Sequence, residues 1–211
     1  MTVNGKIAAL GTKADAEKDQ IAADGKEIHF TEEKVYLMLH KPRGYVTTLS
    51  DEKGRPTAAS LVDGCGKRVY PVGRLDYWSE GLLLFTNDGA FMQSVLHPSY
   101  EVDKTYHVEV MGEIEPGIKA LRAMRSLDAE PIAPAGVELL HREGKRAILA
   151  ITIHEGKNRQ IRRMCAAASL KVSRLIRVAE HGLSLGTLPA GTWRYLTEEE
   201  LARLPIKGGK Q

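Results

Sequence analysis

The stretch Gly73-Arg74-Leu75-Asp76 is followed, after four residues, by the apolar run Gly81-Leu82-Leu83-Leu84-Phe85 and the turn Thr86-Asn87-Asp88-Gly89. A short apolar run bounded by turn residues predicts a buried strand. The order of these segments therefore places the Asp76 carboxylate at a turn just ahead of a core strand. On its own the tetrapeptide is more typical of a plain turn or helix cap, so a role for Asp76 depends on the rest of the chain.

Strands and helices alternate irregularly along the chain. Residues 35–39 predict a buried strand that ends where Pro42 and Gly44 force a turn. Irregular mixing of strands and helices favours an α+β fold over a doubly wound sheet. The remaining predicted elements are a short helix at 57–61 within a polar loop, a half-buried strand at 106–110, a helix at 116–126, a strand with apolar residues on both faces at 146–153, and a helix after Gly156.

The first thirty residues carry the turn signals Asn4-Gly5 and Asp24-Gly25, which predict small β-hairpin pieces. Their apolar residues are too few to bury a core. From Lys34 the apolar pattern becomes dense, so we place a boundary near 30–33. The predicted organisation is a small segment at 1–31, a main domain at 32–205 and a flexible tail at 206–211.

Composition restricts the class of protein. The 211 residues suit one domain with a small appendage, and two cysteines are too few for a disulfide framework, which favours a reducing cytoplasm. The apolar runs are strand-sized and the first residues lack a signal core, so no membrane association is expected. A net charge of +3 permits a nucleic-acid partner without requiring one.

A basic cluster follows Gly156. The residues Lys157, Arg159, Arg162 and Arg163 occur without an interleaved acid. A solvated charged face is normally interleaved with acids, so the cluster favours contact with phosphates. Three further cations follow it: Lys171, Arg174 and Arg177.

The same segment has an apolar stripe at helical spacing, with Asn158 as the expected N-cap. Arg162 lies beside the stripe and could point inward, where its guanidinium would need a carboxylate. Cys165 belongs to the stripe and is therefore interpreted as a packing residue. The stripe consists of Ile161, Met164, Cys165 and Ala168.

Three other kinds of chemistry fit poorly. Asn158 stands four residues after His154, where the zinc-protease helix pattern needs a second histidine, so no metal is predicted. Residues 64–67 lack the spacing of a phosphate-binding loop. Asp76 and Glu80 are the local candidate pair for retaining glycoside chemistry, but the residues between them predict a turn leading into a strand.

Tyr106 fits either a core tyrosine or a stacking platform for a base.

Several long motifs, in order, closely resemble the RsuA family of ribosomal RNA pseudouridine synthases, and more specifically its large-subunit branch. They span most of the chain. The matching segments are His40-Lys41-Pro42-Arg43-Gly44-Tyr45-Val46-Thr47-Thr48, Tyr70 to Asp76, Ser79 to Gly89, Glu101 to Tyr106, His154-Glu155-Gly156-Lys157-Asn158-Arg159-Gln160-Ile161-Arg162-Arg163-Met164, and Leu183 to Leu196.

The resemblance implies a mixed, largely antiparallel sheet with a central catalytic cleft. It implies Asp76 as the essential carboxylate, Tyr106 as the base-stacking aromatic and Arg162 as the basic partner of Asp76. Leu175 becomes an apolar wall under the base, and Trp78 departs from the small polar or acidic residue usual in the family. The substrate-binding residues expected beside these are Arg74, Leu175, Lys157, Arg159 and Arg163.

The implied reaction isomerises uridine in ribosomal RNA, most specifically large-subunit RNA, through a flipped-out base and without a cofactor. A cytoplasmic monomer is expected. Two rival functions stay open: a non-catalytic ribosome-binding module and a glycosidase that releases the base.

Residues 2–6, 10–13 and 24–26 resemble the second half of an S4-type RNA-binding domain. The helical half of such a domain is missing, and relatives commonly have a valine where Met1 stands, so we expect that a valine codon serving as an alternative start was taken as the first residue. We expect the remnant to be mobile or packed on the catalytic domain, and affinity for large RNA fragments to be reduced.

Overall fold

The structure is a computed structural model that describes residues 1–15, 18–28, 33–96 and 102–204. The chain divides into two compact units, Met1–Lys34 and Val35–Gln211. Most of the predicted boundary near 30–33, the predicted tail at 206–211 and Glu101 of the matched motifs lie outside the described residues.

The smaller unit is a four-stranded sheet whose hairpins follow the predicted turn residues. Asn4 and Gly5 have φ of 51° and 75°, and Asp24 and Gly25 have φ of 52° and 77°. Two consecutive residues with positive φ match the twist of a two-residue hairpin, so the predicted hairpins are confirmed. The strands, in spatial order, are β2 (Lys6–Ile7), β1 (Thr2–Val3), β3 (Ile21–Ala23) and β4 (Lys26–Glu27).

The larger unit combines strands with four α-helices and a 3₁₀ helix in its described part. The helices are α1 (Gly89–Leu96), α2 (Ile114–Ala123), α3 (Gln160–Ala167), α4 (Glu198–Arg203) and the 3₁₀ helix Ala59–Cys65. The strands are β5 (Tyr36–Lys41), β6 (Tyr70–Val72), β7 (Glu80–Thr86), β8 (Lys104–Met111), β9 (Ser126–Leu127), β10 (Glu130–Pro131), β11 (Gly136–Glu143), β12 (Arg146–Ile153), β13 (Lys171–Glu180), β14 (Leu183–Ser184) and β15 (Trp193–Tyr195).

One large sheet organises this unit, in the order β11-β12-β8-β13-β7-β5-β15, with β14 beside β13 and β6 beside β7. Its neighbouring strands are antiparallel except β13 and β7, which pair in parallel through Ile176 with Glu80 and Arg177 with Gly81. A small hairpin of β9 and β10 lies apart from it. The predicted α+β fold with a mixed, largely antiparallel sheet is confirmed.

The parallel junction depends on Gly81. A Cβ atom at this position would lie 2.2 Å from the main-chain oxygen of Arg177 and 2.6 Å from its nitrogen. Gly81 also has φ of 112°, which side chains rarely tolerate. The glycine in the motif after Asp76 therefore lets β7 approach β13 closely.

The strand β7 is buried along its whole length, as the apolar run predicted. Leu83 and Phe85 belong to a core shared with β5, β8 and α3, whereas Leu82 and Leu84 pack with Phe91 of α1 in a second core. Because successive strand residues point to opposite faces, this part of the sheet is covered on both sides.

Several local predictions can be compared with the elements. Cys165 is buried in the main core, so its interpretation as a packing residue is confirmed. The prediction of Asn158 as N-cap was wrong, because Arg159 occupies that position with left-handed φ and no side chain caps α3. None of the helices in the described ranges is long and apolar enough to cross a membrane.

Candidate active site

Asp76 lies in the loop that connects β6 to β7. The two strands are paired antiparallel, so the loop has fixed ends. Leu75 is buried, and Thr47 clamps its backbone: the hydroxyl donates to the Leu75 carbonyl at 2.7 Å and accepts from the Leu75 N–H at 3.2 Å. The first matched motif therefore holds the second in place.

Lys41 provides a stronger anchor beneath the loop. Its side chain is fully buried, and its ammonium donates to the carbonyls of Pro42 at 3.0 Å, Asp76 at 3.1 Å and Ser79 at 2.9 Å. Burial lowers the pKa of Lys41 to about 8, with the charges of Asp76 and Glu80 opposing that shift. Lys41 uses its three donors on main-chain oxygens, so it fixes the backbone of the loop and not the Asp76 carboxylate.

The Asp76 side chain lines a cleft of about 590 Å³, a size within the range of small-ligand sites. Within the described ranges, no side chain donates a hydrogen bond to its carboxylate. The carboxylate is therefore available to a bound molecule. The cleft is lined by Gly73, Arg74, Leu75, Asp76, Ser79, Leu96, Lys104, Tyr106, Ile153, residues 156–161, Leu175, Arg177 and Glu180.

Tyr106 and Leu175 are buried cleft residues on the adjacent strands β8 and β13. Burial raises the pKa of Tyr106, although the positive charge of Arg177 opposes the shift. Tyr106 therefore stays a neutral phenol near neutral pH. Together the ring and the leucine give the cleft an apolar wall.

Sequence reasoning missed a buried ion pair that lines the same cleft. Arg177 contacts Glu180 through Nη1–Oε1 at 3.2 Å and Nη2–Oε2 at 3.1 Å, and its Nε donates to the Leu82 carbonyl at 2.8 Å. Nearby, burial and the charges of Lys104 and Arg177 lower the pKa of His181 to about 4, so that imidazole is neutral at physiological pH. The pair gives the cleft fixed polar groups without adding net charge.

Arg162 lies close to the Asp76 loop but does not line the cleft. Its Nη2 donates to the Trp78 carbonyl at 2.8 Å, and its Nε is buried without a hydrogen-bond partner among the residues that the structure describes. Burial lowers the pKa of Arg162, and the charge of Asp76 opposes that shift. The described residues contain no direct Asp76–Arg162 ion pair, so the partnership stays a prediction.

The other predicted basic residues divide into two groups. Lys157 pairs with Glu130 at 3.2 Å, and Arg163 donates to Asp128 at 2.7 Å. Both of these acids lie on the β9–β10 hairpin. Arg159 is exposed, lines the cleft and has no carboxylate partner in the part of the chain that the structure describes.

Two further residues had predicted roles: Arg74 in substrate binding and Glu80 as a candidate partner of Asp76. Arg74 is exposed at the cleft. The Glu80 carboxylate is held by Arg174 at 2.9 and 3.1 Å and does not line the cleft. A paired-carboxylate site built from Asp76 and Glu80 is therefore not formed.

The sequence model of the RNA pseudouridylate synthase family matches residues 35–167, which include Asp76, Tyr106 and Arg162. The chain belongs to this family. It is an enzyme that isomerises uridine to pseudouridine, and the resemblance seen in the motifs is confirmed.

Individual relatives agree with this membership. The ribosomal large subunit pseudouridine synthase B of Bacillus subtilis (strain 168) is 42% identical over 207 residues, covering 96% of this chain and 84% of the relative. Its namesake in Yersinia pestis is 35% identical, covering 98% and 72%. A crystal structure of a pseudouridylate synthase superposes with a TM-score of 0.72 at 31% identity, covering 96% of this chain and 87% of the other.

Proposed function

We propose that this pseudouridine synthase acts on large-subunit ribosomal RNA, with Asp76 as the catalytic carboxylate and the target uridine flipped out into the cleft. One observation carries the proposal: the Asp76 carboxylate, which accepts no hydrogen bond from any residue that the structure describes, faces a cleft walled by Tyr106 and Leu175. The choice of RNA is supported by the Bacillus subtilis and Yersinia pestis relatives, both named as large-subunit enzymes.

The reaction sets what the cleft must do. The bond from uracil N1 to ribose C1′ breaks, the ring turns, and a bond from C5 to C1′ forms. C5 loses its proton and N1 gains one, so the oxidation level is unchanged and no external redox partner is needed. The site must therefore activate C1′, retain a detached uracil and exclude water.

Asp76 can activate the ribose in two ways. As a nucleophile its carboxylate attacks C1′; as a base it removes the proton from C2′. Both routes need a carboxylate whose lone pairs are free, and the loop anchored by Lys41 and Thr47 presents such a group. Arg162 supplies positive charge beside this loop, where its Nη2 donates to the Trp78 carbonyl.

Retention of uracil follows from the cleft walls. The ring of Tyr106 offers a stacking surface, and Leu175 on the adjacent strand extends this apolar wall. The buried Arg177–Glu180 pair provides both donors and acceptors for the polar edge of the base. Because a uridine stacked in folded RNA cannot enter a cleft of this kind, it must be flipped out.

The flanking phosphates require cations that are not already neutralised. Arg159 and Arg74 line the cleft and have no acidic partner among the described residues, so each can contact the RNA backbone beside the target. Lys157 and Arg163 must first give up a carboxylate partner, so we rank them lower.

The test is product analysis on an unmodified large-subunit ribosomal RNA transcript carrying tritium at uridine C5. Each pseudouridine formed should release one tritium from C5 to the solvent. The mass of the RNA should otherwise stay unchanged, apart from the replacement of tritium by hydrogen. Release of free uracil with an abasic site would show a glycosidase. Tight binding with neither product would show a binding module, and modification restricted to small-subunit RNA would overturn the proposed substrate.

A further inference from the structure

Trp78 is a large aromatic side chain that the reaction described above does not use. It follows Asp76 by two residues, and its side chain is 52% exposed. It is not among the residues that line the cleft, so it lies outside the pocket that receives uracil. A single exposed aromatic is common at protein surfaces, and its neighbours decide whether it has a role.

The surroundings of the Trp78 ring are cationic and aromatic. The guanidinium carbon of Arg43 lies 5.6 Å from the ring centroid, within cation–π range. Tyr77 meets the ring edge to face, with centroids 4.8 Å apart and planes at 84°. Arg43 is exposed and has no acidic partner anywhere in the described ranges, so its charge is free to meet an anion.

The backbone under this ring is fixed. The Trp78 carbonyl accepts from Arg162 at 2.8 Å, and the Tyr77 carbonyl accepts from the Gly44 N–H at 2.8 Å. On either side, the carbonyls of Asp76 and Ser79 are held by Lys41. The Trp78 ring therefore has a defined position relative to the catalytic loop, which a recognition surface needs.

Two other guanidiniums add to the positive charge at this place. Arg162 donates to the Trp78 carbonyl from the first turn of α3, and Arg159 is the N-cap residue of the same helix. A flat aromatic surface beside free guanidiniums matches the two parts of a nucleotide: a base that stacks and a phosphate that needs a cation.

We propose that Trp78 is a stacking platform for the nucleobase adjacent to the target uridine, and that Arg43 holds the phosphate of that nucleotide. Flipping the uridine removes a stacking partner from its neighbour, and the Trp78 ring replaces that partner. This assignment rests on the proposed function, because it needs the target base in the cleft. It makes Trp78 a residue that selects RNA by stacking, without reading hydrogen-bonding edges.

The two tryptophans of the chain allow a direct test. Trp193 packs against the core of the larger unit, and in the full-length Trp193→Phe variant Trp78 is the remaining indole fluorophore. Binding of unmodified large-subunit ribosomal RNA transcript should quench this fluorescence strongly, because stacked bases quench indole. The reciprocal Trp78→Phe variant, which retains Trp193, should change little. Filter retention measures binding independently, so a bound transcript that leaves Trp78 fluorescence unchanged overturns the proposal.

Kinetics provide the second measurement. Under single-turnover conditions, Trp78→Leu should raise the RNA concentration for half-maximal rate about tenfold, whereas Trp78→Phe should stay within about threefold of wild type. Arg43→Gln should also weaken binding. The slope of log K against log salt concentration should become shallower by roughly 0.7 to 0.9, the value for one phosphate contact. Equal behaviour of the Leu and Phe variants, with unchanged melting temperatures, would exclude stacking. If wild-type protein neither binds nor modifies the transcript, the proposed function is what fails.

Discussion

The ammonium of Lys41 donates a hydrogen bond of 3.1 Å to the main-chain carbonyl of Asp76, thirty-five residues further along the chain. It makes equivalent bonds to Pro42 and Ser79, so one buried cation ties the turn after β5 to the middle and the end of the β6–β7 loop. The two motifs that stand apart in the sequence are thus one structural unit. Asp76 can keep its carboxylate free because its backbone is held elsewhere.

Replacement of Lys41 by methionine should destabilise the enzyme strongly. Met removes the ammonium donors from the carbonyls of Pro42 and Ser79 and supplies none in exchange, while the Asp76 carbonyl keeps only the Ser79 N–H at 3.0 Å. Leaving such groups unsatisfied costs about 1–3 kcal/mol each, so we expect a loss of about 3 kcal/mol or more in the free energy of unfolding. Denaturant titration measures this, with Lys119→Met, on the exposed face of α2, as the matched control. Equal stabilities of the two variants would contradict the anchoring role.

The same lysine should leave a pH signature in stability. Burial lowers its pKa from 10.5 to about 8 in the folded protein. Between these values the unfolded chain binds the proton more fully than the folded chain, so this group's contribution to stability increases with pH across that window. Below about pH 8 the cost of the buried charge is fully present. The difference in unfolding free energy between wild type and Lys41→Met should therefore increase from about pH 8 to 10.5, and a difference that falls with pH would contradict the assignment.

Asp76→Asn should abolish pseudouridine formation while leaving RNA affinity within a few-fold. The substitution keeps the shape of the side chain and removes the charge that either catalytic route needs. A group that acts in the transition state affects turnover more than ground-state binding. Tritium release and filter retention measure the two quantities, with Asp63→Asn, an exposed aspartate in the 3₁₀ helix, as control. Even a tenth of the wild-type rate in the Asp76 variant would remove Asp76 from its catalytic role.

The sequence predicted the parts of the site that lie in contiguous motifs. Local patterns placed Asp76 at a turn ahead of a buried strand and Tyr106 on an alternating strand. Their proposed roles came from the family resemblance. The Arg177–Glu180 pair was missed because no sequence motif distinguishes a buried ion pair from two exposed charges on a strand. The pairing of Arg163 with Asp128, thirty-five residues away, depends on how the β9–β10 hairpin packs, which periodicity cannot show.

The N-cap of α3 illustrates a second limit. Asn158 is the better capping residue by chemistry, but the chain turns one residue later, at Arg159, with φ of 49° and ψ of 31°. A left-handed arginine costs backbone strain, which tertiary contacts must offset. Tertiary contacts that override the capping preference of a single residue are seen only in the folded structure.

The three arginines of this segment should separate by function. Arg162→Met should lower turnover, because its guanidinium bonds to the loop that carries Asp76 through the Trp78 carbonyl. Arg159→Met should mainly weaken RNA binding and reduce the salt slope by roughly 0.7 to 0.9, the value for one phosphate contact. Arg163→Met should do less than Arg159→Met, since Asp128 already neutralises it. Salt titrations and single-turnover rates on all three variants check this, and identical profiles would refute the division.

Gly81→Ala should prevent normal packing of the sheet at its parallel junction. The added Cβ would lie 2.2 Å from the Arg177 carbonyl oxygen, a main-chain atom that cannot move aside like a flexible side chain. The φ of 112° adds backbone strain for alanine. Any displacement of Arg177 also disturbs its ion pair with Glu180 in the cleft. Since a loss of 1 kcal/mol lowers the melting temperature of a domain of this size by about 2–4 °C, several kcal/mol should lower it by roughly 10 °C or more.

The matched control is Gly89→Ala at the first residue of α1, where an added Cβ would have no atom within 4 Å. Alanine favours helix over glycine, so this variant should melt at or slightly above the wild-type temperature. Thermal unfolding followed by circular dichroism compares the two directly. A Gly81→Ala protein that melts within about 2 °C of the control would mean that β7 and β13 do not need this close contact, because the predicted cost of several kcal/mol would then be absent.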